Sequence, residues 1–221
     1  MRPLYDAVLF DLDGTLTKSH PGILHCVELS LQELGKPVPP QEELRRFIGP
    51  PLWFSYTRFC GLSPEEADKG VELYRRRYKE GGYLECSVYP GALALLEELR
   101  AAGCRLAVAT AKPAKMARAV CEHFGILERV DFLSGNREDE KGEGKAWLIE
   151  AACKALEVPV SRAVMIGDTK YDREGAEGAG AASSVRGAAG ARCSRRARRT
   201  TRAVRSSVGP WAGPSVMRVR A

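Results

Sequence analysis

Long apolar runs are missing from this chain. No stretch approaches the 18 or more residues of a membrane span, and the early run Ala7 to Phe10 is cut short by Asp11. No secretory leader is recognisable, so a cytoplasmic location is expected. Histidine is scarce, at three residues, and the seven cysteines (Cys26, Cys60, Cys86, Cys104, Cys121, Cys153 and Cys193) form no CxxC pair. Zinc ligation and a disulfide framework are therefore poor readings, and the thiols read as reduced and mostly buried. Acidic residues are absent from the last 41 positions, which carry ten arginines and no lysine. The net charge of +6 belongs to that tail, because positions 1–180 carry −4. Nucleic-acid binding thus does not follow from the global charge.

What remains is a chain of 221 residues, 44% of them hydrophobic, enough for one domain and a smaller insert around a real core. Ala7-Val8-Leu9-Phe10 reads as a strand buried on both faces. From Pro21 the apolar spacing turns helical through Ile23, Leu24, Val27, Leu31 and Leu34, with Gly35 as the stop. Further helical stretches are expected near Glu42 to Phe47, Leu52 to Phe59 and Pro64 to Lys79, the last opened by a Ser63/Glu66 capping box. Nothing in 17–85 reads as a strand.

After Tyr89-Pro90-Gly91 strand and helix alternate. Strands are expected at Arg105 to Thr110, Val130 to Leu133 and Ala163 to Ile166. Helices are expected around Leu93 to Leu99, Lys115 to Phe124, Lys145 to Leu156 and Asp172 to Glu177. This is the pattern of an α/β fold with a Rossmann-like parallel sheet, whose ligands lie beyond the carboxyl ends of the strands.

Two such ends carry paired acids. Asp11-Leu12-Asp13-Gly14-Thr15 follows the first strand, and Gly167-Asp168-Thr169-Lys170-Tyr171-Asp172 follows another. Carboxylates gathered at one place repel unless a cation or a proton lies between them, and an all-oxygen set suits Mg2+. Thr110 ends a strand and offers a hydroxyl to an anion. Lys145 opens a helix and could bring an ammonium to the same crevice, with Lys141 as a rival.

Taken together, Asp11-Leu12-Asp13-Gly14-Thr15, Thr110, Lys145 and Gly167-Asp168 through Asp172 resemble the four motifs of the haloacid dehalogenase (HAD) superfamily, in order over residues 5–180. Phe47-Ile48-Gly49-Pro50-Pro51-Leu52, Ala109-Thr110-Ala111-Lys112-Pro113 and Gly175-Ala176 further resemble its phosphoglycolate phosphatase-like branch. The resemblance implies a magnesium-dependent phosphatase of a small phosphate monoester such as 2-phosphoglycolate. Asp11 would be the nucleophile, forming an aspartyl-phosphate, and Asp13 the acid and then the base. Asp11, the Asp13 carbonyl and Asp168 would hold the metal with Asp172 assisting; Gly14 and Thr110 would hold phosphoryl oxygens, and Lys145 would offset charge. A 5′-nucleotidase or pyrophosphatase of the same superfamily is the nearest alternative. An inactive module binding nucleic acid through its tail is an alternative of another class. The implied partner is a small phosphorylated metabolite, with no membrane partner, and the chain is expected to be a monomer or homodimer.

The expected organisation is a core of 1–16 and 86–180, a helical cap of 17–85 and an arginine-rich tail of 181–221. Seventy-seven residues separate Asp13 from Gly91, against 34 between Thr110 and Lys145 and 22 between Lys145 and Asp168, so only the first gap has room for a lid. Residues that could select the substrate there are His20, Arg45, Arg46, Trp53, Tyr56 and Arg58. The tail reads as a disordered extension, as a basic arm, or, preferably, as an out-of-frame stretch that would deprive the sheet of an edge strand and helix.

Overall fold

The computed structural model describes residues 3–48, 52–136 and 144–185. These fall into two compact units, one built from the chain up to Lys18 and from Val88 on, the other from Ser19–Ser87.

The first unit is built on a five-stranded parallel sheet of order β5-β4-β1-β6-β7. Its strands are β1 (Ala7–Phe10), β4 (Arg105–Pro113), β5 (Phe132–Asn136), β6 (Ala163–Gly167) and β7 (Ala182–Val185). β2 (Thr17–Lys18) and β3 (Ser87–Val88) form a separate two-stranded sheet, of which β2 falls within the stretch 17–85 where no strand is expected. β1 lies between β4 and β6, with Phe10 opposite Val108 on one side and Ile166 on the other. A central parallel strand is covered on both faces, which is why its four residues are all buried and all apolar.

Alternation along the strands divides the core. Ala7 and Leu9, Ala107 and Ala109, Ala163 and Met165 pack against Leu148, Ile149, Ala152 and Cys153 of α7 (Gly144–Ala155), Leu156 just after it and Ala176 of α8 (Lys170–Ala179). On β4, α5 (Ala92–Ala101) and α6 (Ala114–His123) also pack, burying Leu95, Leu96, Leu99, Met116 and Val120.

The C-terminal edge corrects one expectation. Residues from 181 do not leave the sheet without an edge strand: Gly180 caps α8 in the left-handed conformation, φ 82°, and turns the chain into β7, where Ala182 pairs with Val164 and Val185 with Gly167. The rest of the tail, and with it the closing helix, the basic arm, Cys193 and the rival Lys141, lies outside the described residues. None of the six described cysteines is in a disulfide. No described helix is long and apolar enough to cross a membrane.

The second unit is helical: α1 (His20–Glu33), α2 (Gln41–Leu44), α3 (Leu52–Cys60) and α4 (Pro64–Glu80). The capping box forms as read, with Ser63 Oγ accepting from the Glu66 amide at 3.2 Å and Glu66 Oε2 from the Ser63 amide at 3.0 Å. The expected helix through Phe47 is instead one turn of α2 followed by a tighter 3-10 turn over Arg45–Phe47. Leu24, Val27, Leu31, Leu44, Phe47 and Tyr56 share one core. Tyr56 is thereby removed from the substrate-selecting set. It is wholly buried, and its hydroxyl is 2.5 Å from Ser30 Oγ inside that core. Tyr56→Phe leaves the Ser30 hydroxyl without this partner and should destabilise the protein by about 1 kcal/mol, read as a lowered Tm with turnover unchanged.

Candidate active site

The site forms where β1, β4 and β6 end. The ladder continues one residue past β1: the Asp11 amide donates to the Ile166 carbonyl at 2.9 Å. That bond fixes Asp11 beside the chain that reaches Asp168 two residues later. Beyond it the Leu12 carbonyl accepts from the amides of Leu16 and Thr17 and from Thr17 Oγ1, at 2.9 to 3.1 Å. This tight loop needs a residue of φ 82° at position 14. A Cβ there would also lie 2.3 Å from Asp168 Oδ2, so only glycine lets Asp168 approach.

Asp11, Asp168 and Asp172 each bring one carboxylate oxygen within 4.8 Å of the other two. Lys145 reaches them from the start of α7: its Nζ is 2.8 Å from Asp11 Oδ1, 2.7 Å from Asp172 Oδ1 and 3.1 Å from the Ala109 carbonyl. Of the two lysines considered, Lys145 therefore sits among the carboxylates. Gly175 of α8 makes room for it, since a Cβ there would lie 2.5 Å from Lys145 Cβ. Thr15, not singled out in the sequence, donates to Asp168 Oδ1 at 3.2 Å.

Asp172 is fully buried and committed twice over. Its Oδ2 accepts from the Thr169 amide and hydroxyl, at 3.0 and 2.8 Å, in a capping box for α8, and its Oδ1 faces Lys145. It is thus an anchor for the lysine and the least able of the three to give an oxygen to a metal. Gly14 is likewise reassigned. Its amide, expected on a phosphoryl oxygen, donates to the Thr17 carbonyl at 2.7 Å, so the residue contributes the turn instead. Thr110 is buried near the end of β4, and its Oγ1 accepts from the Lys112 amide at 3.2 Å, which leaves the hydroxyl proton to donate. The Asp13 side chain stands outside the three-carboxylate cluster, its two oxygens 3.2 and 3.1 Å from Lys112 Nζ. In the sequence that lysine stands out only as part of the stretch Ala109-Thr110-Ala111-Lys112-Pro113, where no role attaches to it.

Electrostatics shows what the cluster suits. Burial pushes the Asp11 carboxyl up from the ordinary 3.8 to about 6. Lys145 opposes the rise, while Asp172 and Asp13 add to it. Burial alone would lower the Lys145 ammonium, but the charges of Asp11 and Asp172 reverse this and hold it above the usual lysine value. Two carboxylates on the ammonium and a third, that of the partly buried Asp168, close to them leave an excess of negative charge in an all-oxygen donor set. A hard divalent cation such as Mg2+ fits such a set, and Asp11 and Asp168 are the side chains that could hold it.

Known proteins resemble this chain over most of its length. Residues 5–180 match the family model described as haloacid dehalogenase-like hydrolase. The chain belongs to that family. Among curated relatives, the tyrosine-protein kinase PtkA of Mycobacterium tuberculosis is 37% identical over 76% of this chain and 57% of its own length. The 5′-nucleotidase of Pseudomonas aeruginosa is 36% identical, covering 78% of each chain. The phosphoglycolate phosphatase of Vibrio parahaemolyticus is 35% identical over 75% of this chain and 76% of its own. The chain thus spans little more than half of the mycobacterial relative and about three quarters of the other two. Among solved structures, a phosphatase from Clostridium difficile described as putative superposes with a TM-score of 0.76 at 33% identity, covering 81% of this HAD-family chain and 83% of its own.

The raised Asp11 value makes a stability prediction. Its folded-state value of about 6 exceeds the unfolded 3.8, so the folded protein binds the proton more tightly. The stability this one group contributes is fully present below pH 4 and is lost as pH rises through about 6. Holding the carboxylate ionised at pH 7 opposes folding by about 3 kcal/mol. In chelator-treated buffer Asp11→Asn should therefore melt higher than the wild type at pH 7.5, and the difference should vanish near pH 4. Equal melting curves at both pH values would contradict the assignment.

Proposed function

We propose that the chain is a magnesium-dependent phosphatase of a small phosphate monoester, acting through an aspartyl-phosphate on Asp11. The observation that carries this reading is the Asp11 carboxylate, clamped through Oδ1 by Lys145 at the end of the central strand, with Asp168 beside it. The clamp fixes one oxygen and leaves Oδ2 to attack phosphorus in line. The bond from Oδ2 to phosphorus forms as the ester P–O bond breaks, and Asp13 passes its proton to the departing oxygen. Asp13, now a carboxylate, takes a proton from the water that attacks the aspartyl-phosphate, releasing inorganic phosphate and restoring Asp11.

Lys145 faces the charge gathered on the nucleophile, and the Thr110 hydroxyl donates to a phosphoryl oxygen. Asp11 and Asp168 would hold the magnesium, which would supply charge neutralisation for the phosphoryl oxygens. Phosphoryl transfer needs in-line positioning and charge compensation above all, and a rigid array of charges at strand ends provides both. The helical unit of Ser19–Ser87 is the part of the chain with room to act as a cap that excludes water and selects the leaving group.

A 2-phosphoglycolate-like ester is the first substrate to test, on the likeness to phosphoglycolate phosphatases; the similar identity to a 5′-nucleotidase places nucleoside monophosphates second. Purified protein assayed for phosphate release from a panel of these esters should be active with Mg2+ and inactive in EDTA. Asp11→Asn should lower kcat by about 1,000-fold or more, as expected for loss of a nucleophile. Release that persists in EDTA, or in the variant, would contradict the reading.

A further inference from the structure

Lys112 is a buried lysine that the reaction above does not use. Its side chain is 2% exposed, and both oxygens of Asp13 lie within 3.2 Å of its Nζ. The backbone aims it there. The register of β4 on β5 shifts between Thr110 and Pro113, the Lys112 amide donates to Thr110 Oγ1 at 3.2 Å, and Asn136 Nδ2 donates to the Ala111 carbonyl at 2.8 Å. Gly135 sits tightly under this bulge: a Cβ there would lie 2.7 Å from Ala114 Cα and 3.0 Å from the Lys112 carbonyl. A bulge re-aims side chains, and this one turns a lysine at a strand end inward instead of out to solvent.

We propose that Lys112 is a positioning residue, which holds the Asp13 carboxyl group toward the leaving-group oxygen as Lys145 holds Asp11 toward phosphorus. The proposal rests on the phosphatase reading, in which Asp13 is the acid. Buried ion pairs add little net stability compared with apolar packing, so a pair placed at a reacting group gains its value from the geometry it imposes. Asp13 sits on the loop of Gly14, where its side chain is partly exposed and has rotamers to choose from; two contacts from one ammonium narrow that choice. Lys112 adds no bond to the substrate in this role. The proton still travels from Asp13 to the ester oxygen.

The test compares leaving groups. Full-length wild type, Lys112→Met and Asp13→Ala are assayed with Mg2+ on 2-phosphoglycolate, whose alkoxide needs a proton to depart, and on p-nitrophenyl phosphate, whose phenolate does not. Lys112→Met should lower kcat for the alkyl ester about tenfold or more with KM nearly unchanged, and for the activated ester by about threefold at most; Asp13→Ala should show the same split. Lys112→Arg, which keeps the charge, should recover part of the loss. Equal losses on both esters, or a raised KM with kcat intact, would overturn the proposal.

Should the wild type hydrolyse neither these esters nor nucleoside monophosphates, the phosphatase reading fails and takes the catalytic role of Lys112 with it. The pairing itself is then decided by melting temperatures of Lys112→Met, Asp13→Asn and the double variant. The double variant should lose no more than the worse single one, whereas additive losses would refute the pairing.

Discussion

A single ammonium holds the candidate site together. Lys145 Nζ bridges Asp11 and Asp172 at 2.8 and 2.7 Å, deep enough that none of the three is readily reached by water. A buried lysine stays charged only if its partners are charged, and buried carboxylates stay together only if something positive lies among them. Each member therefore depends on the others. Asp172 is fixed by the α8 capping box, the lysine by its packing against Gly175 and its contact with the Ala109 carbonyl, and Asp11 by the amide bond to β6.

The fold supplies these groups from elements far apart in sequence because β1 is central. Strands on either side end at the same level, so the nucleophile candidate from β1, the hydroxyl from β4 and the acidic pair after β6 meet without long loops. Close packing does the rest. Gly14, Gly167 and Gly175 each stand where a Cβ would collide with a side chain of the site, respectively Asp168, Asp172 and Lys145. The proposed chemistry divides into two clamped carboxylates, Asp11 held by Lys145 and Asp13 held by Lys112.

Much of this was legible in the sequence, and for a plain reason. Asp11 and Asp168 follow short apolar strands directly, so their position in the chain is also their position in the crevice. Lys112 was not legible. A lysine after a strand reads as a solvated end, and only the bulge in β4 reverses its direction. The two commitments of Asp172 and the engaged amide of Gly14 depend on hydrogen bonds that no residue pattern spells out. β7 was missed because Ala182-Ser183-Ser184-Val185 lacks an apolar run, and its pairing with β6 uses the backbone. Tyr56 reads as a residue that could select the substrate, and only the packing of the helical unit, with Ser30 of α1 on its hydroxyl, shows it to be core.

The central claim is that Asp11 becomes covalently phosphorylated. Rapid acid quench of the Mg2+-loaded enzyme during turnover of a small phosphate ester, followed by intact-mass and peptide mass spectrometry, tests it directly. The account predicts one added phosphoryl group, confined to the peptide bearing Asp11 and lost in Asp11→Asn. A phosphoryl group on another residue, or turnover without any modified protein under conditions that trap acyl phosphates, would contradict it.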